Sequence, residues 1–147
     1  MWSPAAVLVC ALELLGRDAS SFPPIQLVDT APPGASAQVE AFVRPPGDTI
    51  YVMTSTPVFQ RVLRSRDRCD DLEAVRKLAS ILVHEEWHVR HGRDERGAYS
   101  AQLDVLFRLG MRPGTALHVS VVRSMIAAME ASTRPASLIA ARRRGGP

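Results

Sequence analysis

The chain has 147 residues, the length of one ordinary domain, and with 46% apolar and 22% charged residues its composition is that of a globular protein, which excludes disorder of the whole chain. Its net charge of +3, from 18 basic and 15 acidic residues, is mild, and no expected helix carries a basic stripe, so nucleic acid is not an expected partner. No apolar run approaches the length of a membrane span.

Taken in chain order, residues 4–15 read as an amphipathic helix, with Pro4 suited to its first turn and Gly16 to the position just past its end. The segment is apolar, but it has no basic stretch ahead of it and Glu13 interrupts it. It therefore reads as part of the fold and not as a secretion signal, and the expected location is the cytoplasm. Three short segments of strand character follow, at 25–28, 39–43 and 49–54. The third, TIYVMT, is rich in β-branched and aromatic residues. The turn Pro45-Pro46-Gly47-Asp48 between the last two predicts an antiparallel hairpin. Thr56-Pro57 opens a short helix through Leu63.

From Asp70 a long helix is expected to run to about His91. Asp70 is read as its cap, with Glu73 in the capping-box position, and Gly92 as its left-handed terminator. A second helix, at about 94–109, is closed by Gly110, and a third spans about 115–131. The expectation is one domain over residues 1–131, α+β and zincin-like. A small antiparallel or mixed sheet would pack beside the long helix, with further helices C-terminal. Residues 132–147, including Arg142-Arg143-Arg144, read as a flexible, solvated tail. Cys10 and Cys69 match no metal pattern; a disulfide and two buried free thiols both remain open.

The chemistry-bearing feature is His84-Glu85-Glu86-Trp87-His88 on the long helix. Four residues turn about 400°, so both imidazoles leave one face about 6 Å apart along the axis and can grip one zinc ion. Glu85 is rotated about 100° from His84 and can reach a water at the metal without taking a ligand position. A chance match to this pattern arises in roughly one chain of this size in a few hundred. Here the motif also lies on a helix, follows the apolar run Ile81-Leu82-Val83, and is followed by an acidic residue on the next helix. Two histidines and a glutamate inside a buried helix are costly without partners.

A catalytic site of this kind needs a third protein ligand and an open position. His91 lies seven residues from His84, about 10 Å along the axis, too far for one straight helix to close around one ion. Glu95 is the better candidate: Gly92 permits a reversal, and a carboxylate in the first turn of the returning helix suits its dipole. Asp94 is the alternative ligand, or else caps that helix. Tyr99 and Gln102 share the Glu95 face. Tyr99 either donates a hydrogen bond to an oxyanion or fills the core. His118, on the third helix, is a candidate for stabilising the transition state.

The run HEEWHVRHGRDERGAYSAQLDVLFRLG, within residues 78–110, resembles small gluzincin-type metallopeptidases of bacteria, which carry His-Glu-x-x-His on one helix and Glu-x-x-Ala-Tyr on the next. There is no His-x-x-Gly-x-x-His continuation of the metzincin kind. The resemblance implies one zinc ion on His84, His88 and Glu95, with Glu85 activating the water. It also implies a sheet whose edge strand, read here as TIYVMT, holds an extended peptide above the helix. The expected function is hydrolysis of a peptide or protein substrate, with Glu85, Tyr99 and His118 as the catalytic candidates. The alternative is a zinc-stabilised module that binds peptide or protein and turns over nothing.

Overall fold

The computed structural model describes residues 1–36, 38–44 and 47–133. Among them are five α-helices and a three-stranded mixed sheet, an α+β arrangement. Helix α1 is Pro4–Leu15, followed by a single 3-10 turn at Ala19–Ser21. The strands are β1 Ile25–Val28, β2 Ala41–Val43 and β3 Ile50–Met53. Then come α2 Pro57–Leu63, α3 Leu72–His91, α4 Glu95–Arg108 and α5 Ala116–Thr133.

The ends of α1 follow local chemistry. The Ser3 hydroxyl accepts the Ala6 N–H, and Gly16 turns left-handed at φ 66 so that its N–H reaches the Glu13 carbonyl. At α3 the cap is Asp71 and not Asp70. An Asp71 oxygen accepts the Ala74 N–H at 3.2 Å, while the Asp70 N–H is spent on the Asp67 carbonyl. Arg61 decides the choice: it grips both Asp71 oxygens, at 2.8 and 2.9 Å, and also draws Glu73 outward, so no capping box closes. The third expected helix reaches Thr133, two residues past its expected end, and the rest of the expected tail, residues 134–147 with its arginine cluster, lies outside the described residues.

The sheet has the order β1-β3-β2. β2 and β3 are antiparallel, as the hairpin expectation requires, with Phe42 opposite Tyr51. The turn itself cannot be compared, since Pro45 and Pro46 lie outside the described residues. β1 pairs with β3 in parallel, Ile25 opposite Ile50. The segment TIYVMT is therefore the central strand and not an edge, because the parallel crossover from β1 places a partner on its second side. The cleft-side edge is β2.

Helix α3 runs through the middle of the molecule. Ala74, Val75, Leu78, Ala79 and Leu82 make one buried stripe against α1, α2 and the inner face of the sheet, where Ile50 and Val52 are buried. Its other side meets α4. A second, smaller core of Leu106, Met111, Leu117 and Val121 joins α4 to α5.

The cysteines form a disulfide, Cys10 to Cys69, with Cα atoms 5.5 Å apart, tying α1 to the turn before α3 across 59 positions of sequence. In the chain-entropy picture a closed loop of this length removes roughly 4 kcal/mol of unfolded-state freedom. The double variant Cys10→Ser with Cys69→Ser is expected to lose about 2–5 kcal/mol of unfolding free energy. Denaturant titration with and without a reductant checks this. A wild-type midpoint that ignores reductant would mean the bridge contributes nothing.

Candidate metal centre

The site is built where α3 ends and α4 begins. α3 stays helical through both histidines, so His84 and His88 leave the same face, as the four-residue spacing requires. Gly92 then breaks the helix at φ 75, ψ −145, a conformation that side-chain-bearing residues rarely adopt. This is a positive-φ stop, as expected, but it is more extended than the left-handed cap. Its N–H bonds back to the His88 carbonyl, and its own carbonyl accepts the His88 Nδ1–H at 2.7 Å. The reversal thus orients the His88 ring as well as ending a helix.

Asp94 caps α4 by accepting the Gly97 N–H at 3.1 Å, which leaves Glu95 as the carboxylate that faces the histidines. Gly97 lets the helices approach: a Cβ there would collide with the Trp87 ring and the Asp94 carboxylate. Glu95 Oε1 lies 3.0 Å from His88 Nε2, and Glu95 Oε2 lies 3.4 Å from His84 Nε2. The two Nε2 atoms are 3.2 Å apart.

These separations test the fit to a metal. Ligand atoms held tetrahedrally at about 2.0–2.1 Å from a zinc ion lie about 3.3–3.4 Å from one another. The two Nε2 atoms, 3.2 Å apart, match one such edge, and each faces its own Glu95 oxygen at 3.0 or 3.4 Å, so the three side chains are close enough to converge on one ion. His88 Nδ1 faces only a carbonyl, so it carries the ring hydrogen and Nε2 can offer a lone pair. Without a metal the cluster favours another positive charge. The Glu95 carboxylate beside it raises His88 to about 9, and the His84 and His88 rings hold Glu95 down to about 2. A metal ion would displace that proton.

The two consecutive glutamates have opposite environments. Glu85 is buried, and burial pushes its carboxyl up while the His84 and His88 rings pull it down. It lines the cleft beside the cluster, and among the described residues no hydrogen bond ties it down. Glu86 points the other way, onto Arg17 at 2.8 Å and Arg90 at 3.0 Å. Burial opposes its charge, but the two guanidiniums outweigh burial and its carboxyl titrates below the usual range. Glu86 therefore fastens α3 to the turn after α1, and Glu85 is left facing the cleft.

Tyr99 meets His84 edge to face, with ring centroids 4.5 Å apart, and lines the same cleft. Burial, with Glu95 and Glu85 nearby, pushes its hydroxyl up to about 12, so it remains a hydrogen-bond donor at neutral pH. His118 is not brought to the cluster. Its Nδ1 accepts the Gly114 N–H at 2.8 Å, its ring tilts against Phe107, and it does not line the cleft. Ser120, Val121 and Ser124 are what α5 contributes to that wall. His91 stacks on Trp87 at 3.9 Å, exposed at the helix end and away from the cluster.

The cluster opens into a cleft of about 1320 Å³ between β2, α3, α4 and α5. That exceeds the usual range of about 300–1,000 Å³ for small-molecule sites. Ser80 also belongs to this site, through Gln102, and gave no signal in the sequence: it is one small polar residue in an apolar run. No family model, curated protein or solved structure matches the chain.

Proposed function

We propose that this protein is a zinc-dependent hydrolase of gluzincin type that cleaves peptide bonds, with His84, His88 and Glu95 as ligands. The observation that carries the reading is the convergence of His84, His88 and Glu95 to within metal-ligating distance of one another, beside a buried, untethered Glu85, at the floor of a cleft with an open strand edge. A zinc ion held there would acidify a water and polarise the scissile carbonyl. Glu85 accepts the water proton and passes it to the leaving amine; its raised pKa suits a group that must both take and give a proton. The Tyr99 hydroxyl donates to the negative charge that develops on the carbonyl oxygen.

The edge of β2 supplies the backbone grip. Met53 N–H bonds to the Glu40 carbonyl at 3.0 Å, so by antiparallel alternation Ala41 and Val43 turn their N–H and C=O groups away from β3. Those groups border the cleft, where an extended peptide can add as a further strand. Phe42 stacks on Tyr51 beneath Arg44, which braces β2 against β3.

The Cys10–Cys69 bridge bears on location. Disulfides persist in oxidising surroundings, so the bridge favours a compartment outside the reducing cytoplasm, against the expectation from the N-terminal segment. Among the described residues no helix is long and apolar enough to cross a membrane.

Metal analysis of the purified protein, paired with a cleavage screen on a denatured protein mixture, tests the function. The expected result is about one zinc per chain and chelator-sensitive cleavage. A protein that holds zinc and binds peptides but cleaves none would be a binding module. One that takes up no zinc would sink the reading as a whole.

A further inference from the structure

Gln102 and Ser80 are buried polar residues, 5% and 0% exposed, to which the proposed chemistry gives no task. They stand on α4 and α3 and meet beneath His84. The Ser80 hydroxyl lies 2.7 Å from the Lys77 carbonyl, which can only accept, so its single hydrogen is spent there. The Ser80 oxygen is then an acceptor for the Gln102 amide nitrogen, 3.2 Å away. This settles which way the Gln102 amide faces: its NH2 group toward Ser80, its oxygen toward His84 Nδ1 at 2.9 Å. An oxygen acceptor at that distance needs a hydrogen on Nδ1. The His84 Nε2 is left with a lone pair directed at Glu95 and His88.

We infer that the Lys77 carbonyl, Ser80 and Gln102 form a positioning relay that holds His84 in the one neutral tautomer able to bind a metal ion through Nε2; the inference rests on the metal-centre reading above. His88 has a simpler arrangement, since its Nδ1 is held by a backbone carbonyl. Only His84 depends on side chains for its tautomer. The relay also consists of neutral groups. A carboxylate in the place of Gln102 would orient the ring equally well and would add negative charge and basicity. With Gln102 there, Glu95 is the one anionic ligand in the cluster. Helical spacing makes the relay possible. Ser80 precedes His84 by four residues on α3, and Gln102 follows Glu95 by seven on α4, so each lies on the same face as the ligand it serves.

The test is zinc affinity, measured by competition with a chromophoric chelator on the full chain, for wild type, Ser80→Ala, Gln102→Leu and Gln102→Glu. Gln102→Leu removes the acceptor and is expected to weaken binding about 10–100-fold. Ser80→Ala frees the amide to turn its NH2 toward His84, which favours the wrong tautomer, and is expected to cost about tenfold. Gln102→Glu can only accept at Nδ1 and is expected to bind at least as tightly as wild type, a rescue that a packing role would not give. Nitrogen-15 spectra of His84 in metal-free protein read the tautomer directly. They should report hydrogen on Nδ1 in wild type and a mixture in Ser80→Ala. If Gln102→Leu fails to fold, Ser80→Ala and Gln102→Glu carry the test. A wild type that binds zinc, with Ser80→Ala matching it in affinity and tautomer, overturns the relay alone. A wild type that binds no zinc overturns the metal centre and the relay's purpose with it.

Discussion

Glu85→Gln is expected to keep its zinc and its fold while losing about 10²–10⁴-fold in hydrolytic rate, the usual contribution of a positioned general base. The substitution preserves size and shape in a residue that is 8% exposed, so the packing of α3 at the cleft floor is retained. It removes only the capacity to accept a proton. Burial is the main influence on the Glu85 carboxyl and disfavours its charged form, so a neutral amide there should leave stability unchanged or slightly improved. Turnover of any peptide found in the screen, measured beside zinc content and a thermal melt, checks all three expectations. Loss of zinc would make Glu85 a ligand. Unchanged turnover would put the activity elsewhere. Glu86→Gln is an instructive control, because Glu86 is fastened to Arg17 and Arg90: it should cost stability without removing the base.

Glu95→Ala is expected to drop bound zinc from near stoichiometric to near zero, while His91→Ala keeps it. Glu95 supplies the only carboxylate in the three-residue cluster, with one oxygen toward each imidazole. Without it two histidines on one helix remain, a set too small for a stable catalytic site. His91 has its ring on Trp87 and lies outside the cleft, so its loss should cost at most a little packing at the helix end. Elemental analysis of both variants after dialysis decides between them. The reverse outcome, zinc lost in His91→Ala and kept in Glu95→Ala, would discard the ligand set proposed here.

Local chemistry wrote much of this molecule into its sequence. α1 occupies the expected residues because Ser3, Pro4 and Gly16 are local punctuation that needs no distant partner. β1 and α2 likewise stand where the sequence places them. The pairing of His84 with His88 follows from helical pitch alone, and the approach of Glu95 from a glycine and a short reversal. What depended on partners far along the chain was not legible. Asp71 displaced Asp70 as the cap because Arg61, ten residues earlier, grips it. TIYVMT became the central strand because β1 pairs on its far side, and periodicity carries no record of which strand lies next to which. Glu85 and Glu86 are chemically identical in the sequence; Arg17, 69 positions away, takes one of them and leaves the other to the cleft. His118 was drawn away by the Gly114 N–H at the start of its own helix. The two cysteines found each other only when α1 packed beside the turn before α3. The sequence by itself therefore determined the clustering of His84, His88 and Glu95, since their geometry is set within a few turns of helix. The tertiary structure decided which neighbouring groups hold, neutralise or release them, because hydrogen bonds and ion pairs across long stretches of sequence form only after the chain has folded.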